Sequence, residues 1–122
     1  MKREIYAGKT SELTEGDRKV IVEGDIEVGV YRRHGKFYAY KNLCAHQGGP
    51  VCEGIMMAKV EEVLAPDRTY QGLRFNHNEI HIVCPWHGWE YVLATGVCVA
   101  DRRYRLTKYE VIDRGGDLYV LV

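Results

Sequence analysis

Cys44-Ala45-His46 and Cys84-Pro85-Trp86-His87 each place one cysteine close to one histidine, and glycine follows each box within two residues. For these four side chains to meet, each box must lie on a tight loop that directs its thiol and its ring to a common point. Glycines after the boxes supply the backbone freedom that such loops need: Gly48, Gly49 and Gly88. We therefore predict two site-forming loops, at about residues 43–53 and 83–91.

The donor set of the two boxes is two thiolates and two imidazoles. Such a set suits a [2Fe–2S] centre in which two cysteines hold one iron and two histidines hold the other. Zinc accepts the same residue types, but structural zinc sites usually pair like with like, as in C-x2-C and H-x3-5-H. The order here is Cys, His, Cys, His, which favours an iron–sulfur cluster. Two alternatives stay open: the four residues bind zinc, or they are unrelated residues of the core.

The wider boxes, Cys44-Ala45-His46-Gln47-Gly48 and Cys84-Pro85-Trp86-His87-Gly88-Trp89, resemble those of the Rieske iron–sulfur family. The resemblance covers about residues 10–122, although its motifs are confined to the boxes. It implies one [2Fe–2S] Rieske cluster, with Cys44 and Cys84 on a buried iron and with His46 and His87 on an outer iron presented to a partner. It also implies an all-β fold, a Rieske-type β-sandwich whose cluster-binding subdomain is formed by the two loops.

The pattern of short apolar alternations and turns independently predicts an all-β fold. Alternation favours strands at residues 19–30, 36–40, 79–83 and 89–92, and at 107–112 and 118–122 near the end. Turns are predicted at 33–36, 94–96 and 113–117, where glycine is present each time. Many short strands with such punctuation are typical of a sandwich or small barrel. We expect a single domain over residues 1–122.

The 37 residues between His46 and Cys84 are more than the Rieske resemblance leads one to expect. An insertion at about residues 53–78 accounts for the excess, and surface loops tolerate such insertions at small entropic cost. Within it, residues 54–64 are predicted as a short helix and 66–72 as a turn or exposed loop.

Three aromatic residues flank the second box. Trp86 and Trp89 lie on either side of His87, and we expect them to shield the cluster from water; ordinary packing is the alternative. Tyr91 matches a tyrosine that, in the high-potential proteins of cytochrome bc complexes, donates a hydrogen bond to sulfur. Trp89 stands where those relatives have a serine donor. One missing donor predicts a low reduction potential, on the order of −150 mV.

The two remaining cysteines and two of the three remaining histidines are not predicted to be ligands. Rieske proteins of bc complexes carry a disulfide beside the cluster, but Trp86 stands at the position of its second cysteine. Cys52 and Cys98 are therefore interpreted as buried core thiols. His34, in a turn, and His81, on a strand, are expected to be structural or solvated.

Composition limits the classes of partner. The 122 residues carry 17 basic and 17 acidic side chains, so nothing favours nucleic acid or an anionic membrane. The run 101–105 with Lys108 is the one basic concentration, and a solvated strand face or a docking surface both fit it. No apolar run follows the charged N-terminus, from which we expect a cytoplasmic protein with no membrane span.

These observations favour a soluble Rieske-type ferredoxin, a non-catalytic component that carries one electron from a reductase to a terminal oxygenase. A Rieske subunit or fragment of a ring-hydroxylating oxygenase is a second hypothesis, but only 35 residues follow His87, too few for a domain with a mononuclear iron. The small Rieske subunit of a nitrite reductase is a third. That subunit can lose its cluster ligands, whereas all four are present here.

Overall fold

The computed structural model describes residues 3–45, 48–86 and 88–122, with only the backbone given at 60, 62, 64 and 70. Within these residues the chain forms strands joined by turns and by two single 3-10 turns, Thr10–Glu12 and Val51–Glu53, and the all-β prediction is confirmed. The strands are β1 Glu4–Lys9, β2 Arg18–Glu23, β3 Ile26–Arg33, β4 Lys36–Lys41, β5 Met56–Leu64, β6 Tyr70–Val83, β7 Glu90–Val92, β8 Lys108–Arg114 and β9 Asp117–Leu121.

Six strands form one antiparallel sheet in the order β1-β9-β8-β4-β3-β2. The β3–β4 hairpin turns at His34 and Gly35, whose φ angles are 53° and 72°. Two consecutive positive φ angles are those of the turn that matches the twist of paired strands. The predicted turn at 33–36 is therefore confirmed, as are the terminal strands β8 and β9.

The centre of this sheet is buried on both faces. On one face Val30 and Ala39 pack with the buried residues of β9. On the other face Tyr31 and Tyr40 pack against the second sheet, with ring centroids 6.4 Å apart and an edge-to-face geometry. Burying an aromatic side chain of this kind contributes about 1.5–3 kcal/mol. The hairpin β3–β4 therefore lies between two cores and anchors the second sheet.

The second sheet has the order β5-β6-β7 and carries the second box at the end of β6. Only the last residues of β6 lie between two neighbours, because β7 pairs with residues 81–83 alone. There Ile82 faces Tyr91 across the ladder, and both side chains are fully buried. The half of this sheet nearest the boxes is therefore the half that is packed.

The predicted helix at residues 54–64 is wrong. The chain leaves the 3-10 turn at Glu53 and enters strand β5 at Met56, which pairs with β6 from Met56↔Ile82 outward. The apolar start Met56-Met57-Ala58 has helix propensity, but pairing with a distant strand overrides local preference. The insertion is thus a long β-hairpin whose turn, at residues 65–69, is closed by a hydrogen bond from the Ala65 N–H to the Thr69 carbonyl (2.9 Å).

Strand β1 was not among the predicted strands. Ile5 and Ala7 are buried while Glu4 and Tyr6 are exposed, and the strand pairs with β9 at the edge of the large sheet. Its alternation is only four residues long, which is too short to separate a strand from a charged terminus by pattern. Among the described residues, no helix has the length and apolarity needed to cross a lipid bilayer.

Candidate metal centre

The first box lies on a tight loop that follows β4. The Cys44 N–H donates to the carbonyl of Gly49 (2.8 Å), and the Gly48 N–H donates back to the Cys44 carbonyl (2.9 Å). Gly48 has a φ of 74°, a conformation that favours glycine. These bonds close the loop around the box and bury the Cys44 side chain.

The second box repeats this closure at the end of β6. The Cys84 N–H donates to the carbonyl of Trp89 (2.8 Å), five residues ahead, which is the offset that joins Cys44 to Gly49. The Cys84 side chain is buried as well. Both cysteines therefore sit at the same position of a similar loop, which is the arrangement that the paired boxes predict.

The bases of the two loops touch. A Cβ built on Gly54, at the end of the first loop, would lie 1.6 Å from the carbonyl oxygen of Val83, just before the second box. The Val83 N–H donates to the Ile55 carbonyl (2.9 Å), and the Arg18 guanidinium donates to the carbonyls of Glu53 and Gly54. No larger residue fits at Gly54 without separating the loops, so a steric requirement fixes this glycine.

The two thiols lie near each other and beside one hydroxyl. The pKa of the Cys84 thiol is raised mainly by burial; the Trp86 N–H opposes this, and the neighbouring Cys44 thiol adds to it. The Tyr91 hydroxyl lies 3.0 Å from the Cys44 Sγ. Burial and this sulfur contact raise the pKa of Tyr91, so its hydroxyl stays protonated and is able to donate to a thiolate.

This arrangement fits a site where two thiolates hold a metal. Thiolate is the ligand form of cysteine, and buried thiolates need either a cation or hydrogen-bond donors to offset desolvation. Cys44 and Cys84 supply the sulfurs and Tyr91 supplies a donor. The predicted ligands His46 and His87 lie outside the described residues. Within the ranges 3–45, 48–86 and 88–122, no group of three or more potential ligand residues stands together.

The two tryptophans of the second loop have different surroundings. Trp86 is 51% exposed, and its side chain packs on Gly49 so closely that a Cβ there would lie 2.8 Å from the ring. Trp89 is half-buried and meets Tyr104 edge to face, with centroids 5.4 Å apart. Trp86 thus joins the two loops, whereas Trp89 joins the second loop to the segment that follows β7.

The core thiols and strand histidine behave as predicted. Cys52 and Cys98 are buried in the core between the sheets, and burial raises the pKa of Cys52 to about 11. His81 is buried on β6, with its ring nitrogens 3.0 Å from a Glu90 carboxylate oxygen and 2.7 Å from one of Glu79. His81 is therefore a structural residue that ties β7 to β6.

Sequence reasoning missed two residues that support the first loop. Asn42 is buried and its side-chain carbonyl accepts the Cys52 N–H (2.8 Å). Gly29 leaves room for Cys52, since a Cβ on Gly29 would lie 2.5 Å from the Cys52 Sγ. The glycine interrupting the apolar run of β3 was the available signal, because a strand glycine often marks a close approach.

One protein-family model matches most of the chain. The model of the Rieske [2Fe-2S] domain matches residues 3–110. The chain belongs to the Rieske family. Domains of this family bind a [2Fe–2S] cluster, which agrees with the paired buried thiols and with the order of the boxes.

A curated human protein and several solved structures are similar to this Rieske chain. A Rieske domain-containing protein of Homo sapiens is 29% identical over 92 residues, and the chain spans about half (48%) of that relative's length. The ferredoxin of carbazole 1,9a-dioxygenase from Nocardioides aromaticivorans has a TM-score of 0.66 at 20% identity, with 96% of this chain and 95% of that chain covered.

A putative NADH-dependent nitrite reductase small subunit from Mycobacterium tuberculosis has a TM-score of 0.71 at 17% identity, covering 100% of this chain and 96% of that one. A complex of reduced oxygenase and oxidised ferredoxin in carbazole 1,9a-dioxygenase gives 0.69 at 22% identity, with 96% and 91% covered. At these identities the solved structures establish the fold of this Rieske chain and not its role.

Proposed function

We propose that this Rieske chain is a one-electron carrier that accepts electrons from a reductase and passes them to a terminal oxygenase. Cys44 and Cys84 hold one iron of the cluster and His46 and His87 hold the other. The observation that carries the proposal is the buried pair of thiols with the Tyr91 hydroxyl 3.0 Å from the Cys44 Sγ. Two buried sulfurs with a hydroxyl donor beside one of them can hold an iron–sulfur cluster and adjust its reduction potential.

The cluster, when bound, supplies a one-electron couple. The protein residues control how that couple is held and tuned. Burial of Cys44 and Cys84 excludes water from the sulfurs, and the closed loops keep the thiols in place. The Tyr91 hydroxyl donates to the Cys44 sulfur, which stabilises the more negative reduced form and raises the reduction potential. With Trp89 in place of a second hydroxyl donor, the potential stays low in the Rieske range.

The small Rieske subunit of a nitrite reductase is a second candidate, supported by a structural neighbour of that description with full coverage of this chain. The complete set of four candidate ligands favours the electron carrier over this alternative. A Rieske part of a larger oxygenase is a third candidate, in which the same site would pass its electron within one assembly.

Metal analysis and electron spin resonance of the anaerobically purified protein test the site. We expect about two irons and two labile sulfides per chain and a mixed-ligand Rieske signal only after reduction. Cys44→Ser should abolish or alter the signal. Cys98→Ser, which changes an equally buried thiol outside the two boxes, is the matched control and should keep it. A colourless protein with one tightly bound zinc would contradict the proposal.

Reconstitution tests the role. The reduced protein should support turnover of an aromatic substrate only together with a Rieske oxygenase and a reductase, and the rate should rise with its concentration. Electron delivery to a nitrite reductase catalytic subunit, with none to an oxygenase, would favour the second candidate. Substrate oxidation by this chain and a chemical reductant alone would show a catalytic protein instead.

A further inference from the structure

The segment that follows β7 is attached directly to the second box. The Val99 N–H donates to the Glu90 carbonyl (2.9 Å), and the Cys98 N–H donates to the Tyr104 carbonyl (2.9 Å). The Tyr104 ring meets Trp89, and the Trp89 carbonyl accepts the N–H of Cys84. Residues 98–105 are therefore one aromatic contact and one hydrogen bond away from a proposed ligand.

This segment is basic although the whole chain carries no net charge. Its three guanidinium groups, Arg102, Arg103 and Arg105, are all exposed, and Asp101 is its single carboxylate. Arg103 binds Asp101 (2.7 Å), which holds the pKa of that carboxyl at about 2 and keeps it ionised. Within the described residues, neither Arg102 nor Arg105 forms an ion pair. Three positive charges and one negative charge leave a local net charge of +2.

An apolar centre lies among these charges. Val99 is 48% exposed and borders a shallow cavity of about 230 Å³ that it forms with Gly88, Trp89, Glu90 and Ala100. Apolar area surrounded by charged side chains is typical of a protein interface. By contrast, Leu43 and Trp86, which are 44% and 51% exposed on the two boxes, offer apolar area without an adjacent cationic run.

We propose that Val99, Arg102, Arg103 and Arg105, here called the basic side surface, form the docking surface for a redox partner with an acidic docking face. The inference rests on the proposed electron-carrier function and adds the chemistry of the partner. Charge complementarity selects the partner, because an acidic face is attracted to this surface and finds no cationic side chain at Leu43 or Trp86 themselves. Docking there places the partner against Trp89 and Tyr104, beside Cys84.

Oxidation of the reduced holoprotein by two small probes of opposite charge tests this surface. Ferricyanide is an anionic oxidant and hexaammineruthenium(III) is a cationic one; each takes one electron and leaves the protein oxidised by one electron. Arg102→Glu/Arg105→Glu should slow oxidation by ferricyanide by about tenfold at low ionic strength and speed oxidation by the cation. Both effects should vanish near 1 M salt, where the Debye length is about 3 Å.

The matched control is Lys36→Glu/Arg68→Glu, which makes the same change of net charge at two exposed residues outside the boxes and outside the basic side surface. It should change both rates much less. Equal effects of the two double variants would overturn the docking surface while leaving the electron carrier intact. Lack of a reducible cluster in the unaltered protein, checked first by its spectrum, would instead overturn the proposed function and this inference with it.

Discussion

Strand β6 passes through two different environments, and the contrast between them separates what the site needs from what it does not. The end of β6 pairs with β5 at residues 80–82 and with β7 at residues 81–83, and it buries Ile80 and Ile82. Residues 70–76 pair with β5 alone and leave Leu73 and Phe75 each 61% exposed. A two-stranded ribbon of that kind has little stability of its own. The part of the insertion that supports the boxes is therefore only its base.

The largest expected difference between the two halves of β6 is in how much their side-chain packing contributes to the free energy of unfolding. Ile82→Ala should lower the free energy of unfolding by about 2–5 kcal/mol, because it opens a cavity beside Tyr91. Leu73→Ala, at a 61% exposed position on the ribbon, should change it by no more than about 0.5 kcal/mol. Denaturant unfolding of the holoproteins, followed by circular dichroism, measures both. Equal losses would show that the ribbon is part of the cooperative core.

A smaller effect is expected from the buried histidine. His81→Ala removes the contacts of both ring nitrogens with the carboxylates of Glu79 and Glu90 and should cost about 1–3 kcal/mol. His77→Ala, on the exposed stretch of the same strand, is the control and should be nearly neutral. The same unfolding measurements apply. A neutral His81 variant would mean that β7 is held by its backbone ladder alone.

The next largest effect is expected on the reduction potential of the cluster, through the Tyr91 hydroxyl in the packed half of the second sheet. Tyr91→Phe should lower the reduction potential by roughly 50 mV, since ~1–1.5 kcal/mol of hydrogen bonding to sulfur corresponds to that shift for one electron. Protein-film voltammetry measures it, and Tyr104→Phe, which keeps the ring beside Trp89, is the control. An unchanged potential would show that the Tyr91 hydroxyl does not donate to the sulfur of the loaded protein.

The smallest effect is expected from removing the ribbon itself. Lys59 and Asn76 face each other in the ladder, so residues 60–75 are replaceable by a two-residue Asn-Gly turn. The shortened protein should keep its iron content and its reduced electron spin resonance signal, because Ile82, Tyr91 and both boxes are untouched. Loss of the cluster on shortening would assign the ribbon a role in the site that its exposure does not suggest.

Features that depend on neighbouring residues were predicted from the sequence, whereas features that depend on distant partners were not. The boxes and the turn at His34 and Gly35 depend on local chemistry, a donor set and two positive φ angles, and both were predicted from residues alone. The start of strand β5, Met56-Met57-Ala58, pairs with residues 80–82, which are 22 to 26 residues away, so its helix-like composition was misleading.

The sequence pattern also did not show which side chains far apart in the chain would contact each other. The contact between Cys44 and Tyr91 joins residues 47 positions apart, and only the family resemblance made Tyr91 a candidate. Glu90 reaches His81 because β7 pairs with β6 in one particular register. Which residues meet across a sheet follows from that register, which strand patterns do not specify.

The exposed turn at residues 65–69 lies between the two boxes, and this position makes the chain divisible. A cut there gives one fragment with Cys44 and His46 and another with Cys84 and His87, each holding half of the proposed ligands. Neither fragment alone can complete the cluster, whereas β5 and β6 provide a ladder along which the fragments reassociate. If the boxes hold the cluster as proposed, separate fragments cut at this turn should be colourless, and the iron–sulfur colour should return only when the two fragments are brought together.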